Sequence, residues 1–162
     1  DLAVQSRHMD RREREAFLDR FSEDNRRALI GFTVMGGIYA EGIDLVGRRL
    51  IGAVVVGVGL PQPTPENEAI REYYDDALEA GREYAYIYPG MNRVLQAAGR
   101  VIRREDDRGV VVLIDDRFSE PIYRRLMPNH WRGLKYVGDL PSLSHLLARF
   151  WSTGGRKGDA PD

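Results

Sequence analysis

The 162-residue chain balances 24 Lys and Arg against 25 Asp and Glu, a net charge of −1, with 43% apolar residues and no cysteine. That composition excludes disulfides and thiolate-held metals or clusters within the chain, and it excludes a global basic field for nucleic acid, so any such contact is local. The length suits one α/β domain of cytosolic type with its own core. No apolar run approaches the roughly 20 residues of a membrane span, and the charged first turns lack a signal-peptide core.

Asp1 to Gln5 alternates weakly and reads as a strand or a frayed lead-in. Met9 to Phe21 predicts a helix with Phe17, Leu18 and Phe21 on one face and the mixed charges Arg11 to Glu15 on the others. Asp24-Asn25 ends it. Arg27 to Met35 predicts a buried strand closing at Gly36-Gly37. Gly37 to Asp44 then lies at the carboxyl end of a strand, where α/β sheets take ligands. Its glycines let backbone amides approach an anion, and Glu41 and Asp44 stand three residues apart; a simple turn has the same pattern. Gly47 to Gly59 predicts a central strand. Pro61, Pro63 and Pro65 force an extended exit, with Thr64 capping a helix over 66–80 and Pro65 in its first turn. Tyr73, Tyr74, Tyr84, Tyr86 and Tyr88 suit packing in a core or interface, and their ring faces also suit stacked bases.

Pro89-Gly90 predicts the start of the next helix. On a continuous helix over 92–104, Arg93, Gln96, Arg100, Arg103 and Arg104 share an arc of roughly 100°, while Val94, Leu95, Ala98, Val101 and Ile102 form another face. Gly99 costs such a helix about 1 kcal/mol relative to alanine, which points to a close approach there. A solvated basic face has the same spacing. Gly109 to Asp116 predicts a strand ending in a polar corner, where Asp115 pairs with Arg117 in preference to holding a metal. Glu120 to Met127 reads as a short helix, Ser142 to Trp151 as a helix capped by Ser142, and Gly154 to Asp162 as a frayed tail. His8, His130 and His145 have no metal spacing. Phe32, Val34, Ile51, Val54, Val56, Val111, Leu113 and Ile114 are the expected core.

The order of these segments resembles the second RecA-like motor domain of the XPD/DinG group of superfamily-two DNA helicases. GGIYAEGID resembles that group's motif V, with its E-G-[IV]-D core, and QAAGRVIR resembles motif VI. Asp115, Asp116, Arg117 and Phe118 match the trailing acidic pattern, and the likeness runs from about residue 10 to about residue 135. It implies an α/β, RecA-like, mostly parallel sheet with helices on both faces. Residues 1–152 form that domain, lacking its usual opening strand and motif IV, and 153–162 form a flexible tail. Neither a G-x-x-x-x-G-K-[ST] phosphate loop nor a D-E-A-H-like box is present.

By that resemblance Arg100 and Arg103 are finger arginines, Gln96 reports the nucleotide across the cleft, and Gly42, Asp44, Glu41 and Gly99 approach it. The likeness also implies ATP and Mg²⁺ held mainly by a first motor domain of the same polypeptide. Single-stranded DNA is the implied partner, with 5′→3′ polarity, in a bacterial-type cytoplasm and away from membranes. Many members carry an iron–sulfur cluster in the other motor domain. The alternatives are a non-catalytic α/β module binding nucleic acid or protein, and an RNA-directed motor of a neighbouring group.

Overall fold

A computed structural model describes residues 1–37, 39, 45, 47–103, 107–131 and 133–153. The chain divides into two compact units, Asp1–Met127 and Pro128–Asp162. The E-G-I-D residues Glu41, Gly42 and Asp44, together with Arg104 and the tail from 154, lie outside the described residues.

The first unit opens on a short strand β1 (Leu2–Val4) that pairs in parallel with β2 (Ile30–Phe32), Leu2 opposite Ile30 and Val4 opposite Phe32. Between them runs helix α1 (Arg11–Asp19). Its start is fixed locally: the Asp10 carboxylate accepts the Glu13 N–H at 2.8 Å and the Glu13 carboxylate accepts the Asp10 N–H at 2.8 Å. Phe17 carries the apolar face of α1 onto Ala3 and Tyr39, its ring centroid 4.6 Å from that of Tyr39. The helical face expected from Phe17, Leu18 and Phe21 is the one that packs.

The second parallel pair joins β3 (Gly52–Val56) to β4 (Val110–Ile114), in register from Gly52–Val110 to Val56–Ile114. The crossover between them contains α2 (Pro65–Leu78), a π-helical turn (Glu83–Ile87) and α3 (Tyr88–Ala98). Thr64 caps α2 by accepting the Asn67 N–H, and Pro65 sits in the first turn, as its missing donor allows. Pro89-Gly90, expected to begin a helix, lies in the first turn of α3, which runs on directly from the π-helical turn. Tyr88 donates to the Glu83 carbonyl five residues back, and this wider turn leads into α3 where Pro89 has no N–H to place. Val55, Val58, Ile87, Met91, Val94, Phe118 and Tyr123 form the main core.

Two glycines permit the closest approaches of that core. A Cβ on Gly90 would stand 2.6 Å from the Val58 carbonyl oxygen, and one on Gly109 would overlap the Val101 side chain. These bring α3 against the exit of β3 and Val101 over the entrance to β4.

The expected core is corrected in one respect. Phe32, Val34, Ile51, Val54, Val56 and Ile114 are 50–70% exposed, while Val111 and Leu113 are half-buried. An apolar run does not say which of its two faces is covered. In β1–β2, Ala3 turns toward α1 while Leu2, Val4, Ile30 and Phe32 face outward. In β3–β4, Val55 meets α3 while Val54, Val56 and Ile114 stand bare. Each pair therefore has one covered face and one bare apolar face among the described residues.

After β4, Asp115 caps a 3₁₀ turn (Asp116–Ser119) and is gripped by Arg117. The carboxylate accepts the Arg117 backbone N–H at 3.0 Å and its guanidinium at 2.9 and 2.8 Å. The expected structural corner is present. The short helix α4 (Pro121–Arg125) follows and buries Tyr123. The second unit holds α5 (Leu140–Ser152), capped by Asp139 rather than Ser142: Asp139 Oδ1 accepts the Ser142 N–H at 2.7 Å. The helix starts two residues earlier than expected, with Pro141 in its first turn, which puts Asp139 at the cap position.

The Asp115 corner has a pH signature. The hydrogen bonds from the Arg117 side chain hold the Asp115 carboxyl below the usual range despite partial burial. A group whose folded pKa is depressed adds stability above its unfolded value near 3.9 and loses it as pH falls through the folded value. Arg117→Ala is expected to cost about 1 kcal/mol at neutral pH, allowing for solvent screening of a partly exposed guanidinium. Urea melts should show that difference shrinking as the pH drops below about 4. A difference unchanged at low pH would contradict the pairing.

Candidate phosphate-binding edge

The glutamine and arginines of QAAGRVIR stand at the end of α3, just before β4. Met91, Val94 and Ala98 anchor the buried side of α3, so Gln96 is left exposed. The continuous helix over 92–104 is not formed: α3 ends at Ala98 with Gly99 as its cap. Gly99 N–H still reaches the Leu95 carbonyl at 2.8 Å, but Arg100 bonds Ala97 at 3.3 Å and Val101 bonds Ala98 at 3.2 Å. The last turn thus tightens from four-residue to three-residue spacing. Val101, 2% exposed, is drawn inward over Gly109, and this pulls the backbone off the helix path.

The shared arc of arginines is dissolved accordingly. Arg93 and Gln96 belong to α3, Arg100 is half-buried in the turn, and Arg103 is exposed beyond it. The Arg103 N–H donates to Asp107 Oδ2 at 2.8 Å, which fixes the backbone that carries its side chain. Cations at a helix C-terminus also complement its carbonyl end. Gly99 has φ −66° and, among the described residues, only the Leu95 and Gln96 carbonyls near its missing Cβ. The close approach expected there is found at Gly90 and Gly109 instead.

Arg93 has a role that periodicity did not signal. Its guanidinium donates to the Gly59 carbonyl at 3.2 Å, and its Cδ and Nε lie 3.1 Å from where a Cβ on Gly36 would stand. It ties α3 to the turn after β2 and to the exit of β3. Only the paired glycine turns at 36–37 and 57–59 hinted that something crosses there.

The donor set at the end of α3 fits phosphate oxygens from one side only. Guanidinium groups are permanently charged and fork onto two oxygens, but a helix C-terminus presents carbonyls, not the amides that cradle an anion. Among the described residues, no group of three or more His, Asp or Glu is placed to hold a metal ion. No helix of the described residues is long and apolar enough to cross a membrane.

Parallel strands joined through helices, with a glutamine and arginines at one helix end, define the α/β class of domain. Residues 1–133 match the family described as Helicase C-terminal domain. The chain is 29% identical over 133 residues to a probable ATP-dependent helicase of Methanocaldococcus jannaschii, covering 76% of this chain and 20% of that protein. It is 34% identical over 120 residues to the ATP-dependent DNA helicase chl-1 of Caenorhabditis elegans, covering 71% of this chain and 14% of that protein. To the ATP-dependent DNA helicase DinG of Photobacterium profundum it is 33% identical over 94 residues, 56% of this chain and 13% of that protein. The chain belongs to the helicase C-terminal domain family, in its XPD/DinG-type branch. It spans about a fifth or less of the length of these curated relatives.

Proposed function

We propose that this chain is the second of two RecA-like motor domains of an ATP-dependent DNA helicase. In this reading Arg100 and Arg103 reach phosphates held by the first motor domain. The observation that carries the reading is the family match over residues 1–133, within which Gln96, Arg100 and Arg103 stand at the α3 terminus. ATP, with its Mg²⁺ held by the first domain, supplies the anhydride whose hydrolysis drives the motor. This chain's part is to place guanidinium charge where negative charge grows, which favours the transition state over the bound substrate. Gln96 reports the nucleotide, and Gly42, Asp44, Glu41 and Gly99 approach it from this side of the cleft. Arg93 keeps α3 in register with the root of the E-G-I-D loop. Alternate closing and opening moves the pair along single-stranded DNA with 5′→3′ polarity.

The bare faces of both strand pairs support a larger assembly, since parallel sheets occur with both faces covered. Further polypeptide of the same protein covers them. Residues 1–152 act as the domain and 153–162 as a tail.

The purified chain is expected to turn over no ATP, because phosphoryl transfer needs the phosphate cradle and metal anchor that it lacks. Its binding to single-stranded DNA should be weak and fall as salt rises. Joining it to a first motor domain should restore DNA-stimulated hydrolysis. Steady turnover by the chain alone would contradict the shared-site reading. DNA binding without turnover in the joined protein would favour a non-catalytic binding module.

A further inference from the structure

Helix α2 carries Ile70, Tyr73, Tyr74, Ala77 and Leu78 at i, i+3, i+4, i+7 and i+8, the spacing with which a helix ordinarily faces a core. Yet no residue of α2 is buried. Tyr73 is 67% exposed, Leu78 57% and Ile70 41%. The helix is held through its other side. Glu68 pairs with Arg71 and accepts the Tyr86 hydroxyl, while Asp75 accepts from Arg71 and from the Gly81 N–H. The outward stripe is continued by an aromatic ladder. Tyr73 meets Tyr74 edge-on at 5.2 Å, Tyr74 stacks on Tyr84 at 4.0 Å, and Tyr84 meets Tyr88 edge-on at 5.1 Å.

Charge decides what such a surface takes. Tyrosine faces alone suit stacked bases, but α2 sets Glu66, Glu68, Glu72, Asp75 and Asp76 against Arg71 alone. A phosphate backbone laid along a stripe bordered by Glu72 and Asp76, on a helix with one arginine against five carboxylates, is repelled, not drawn in. Glu72 and Asp76 flank Tyr73 and enter no ion pair among the described residues. A stripe of about two turns, with acidic borders, matches a helix of the opposite charge.

We propose that the outward face of α2 is a docking surface for a basic amphipathic helix of another protein. The partner's apolar side lies on Ile70, Tyr73 and Leu78, and its Lys and Arg side chains meet Glu72 and Asp76. This surface is separate from the bare strand faces: α2 packs on the π-helical turn that leads into α3, outside the layer that covers β3.

The test is fluorescence anisotropy of the purified chain with a labelled helical peptide of about four turns, Leu on one face and Lys/Arg on its borders. The comparison probes are the same peptide with Glu on its borders and an oligothymidine. The basic peptide should bind, more weakly as salt rises, and the Glu peptide should not. Tyr73→Ala should weaken binding about tenfold or more, as truncation of a central aromatic anchor does. The double substitution Glu72→Lys with Asp76→Lys should reverse the preference toward the Glu peptide. Each variant changes an exposed side chain, and circular-dichroism melts should coincide with that of the parent. Failure of the basic peptide to bind, binding unaffected by these variants, or oligothymidine binding lost with Tyr73→Ala would each overturn the proposal. The last outcome would mark a base-stacking surface instead.

Discussion

Replacing Arg103 by alanine, in an enzyme that joins this domain to its first motor domain, is expected to lower DNA-stimulated kcat by about 100-fold or more. Arginine fingers in phosphoryl transfer contribute roughly 10³–10⁵-fold, so even a partial role is large. The loss belongs in kcat rather than KM, because the guanidinium meets charge that develops only in the transition state. Arg103→Lys keeps the charge but loses the planar fork, and should recover little. Arg104 lies outside the Q-x-x-G-R-x-x-R spacing, so Arg104→Ala is the internal control and should cost much less. Arg103 is exposed, and substitutions of exposed side chains ordinarily change stability little, so thermal unfolding should barely change. Equal activity of the Arg103 and Arg104 variants would return the segment to a solvated basic stretch.

The largest effect on stability is expected from the packing of α3. Met91 is 1% exposed in the cluster formed with Val58, Val94, Phe118 and Tyr123. Met91→Ala removes most of that side chain from a closed site and should cost about 2–5 kcal/mol. Gly90→Ala acts in the opposite sense, by overpacking. Its new methyl would meet the Val58 carbonyl, a backbone group that moves only if the exit of β3 moves, at a cost of about 1–3 kcal/mol. Denaturant melts of the two variants measure both. If either leaves the midpoint unchanged, α3 does not sit on β3 as described.

Much of this was legible where the signal is local. Thr64-Pro65 marked the start of α2 because a cap and a donorless first turn are set by adjacent residues. Asp115 and Arg117 were readable as a pair because only one residue separates them. The end of α3 was not legible from periodicity, since Val101 leaves the helix to cover Gly109, a partner eight residues on. The same limit misplaced the core: Val54, Val55 and Val56 look alike in sequence, and only Val55 points toward α3. Pro89-Gly90 was legible as a helix start because a donorless residue suits a first turn, while the π-helical turn that runs into it has no local signature. Arg93 was placed on one helical arc with Arg100 and Arg103, while its hydrogen bond runs to Gly59, 34 residues away. For the candidate site, spacing and resemblance singled out Gln96, Arg100 and Arg103, whereas their arrangement around a tightened turn was not legible because it depends on the tertiary contact of Val101.

The most direct test of the shared-site account is a structure of the joined two-domain enzyme with ADP and aluminium fluoride, a mimic of the transferring phosphoryl group. The account predicts the Arg100 and Arg103 guanidinium groups at about 2.7–3.2 Å from the fluoride or phosphate oxygens, opposite the first domain's cradle. A nucleotide fully enclosed by the first domain, with no side chain of residues 96–103 in contact with it, would contradict it.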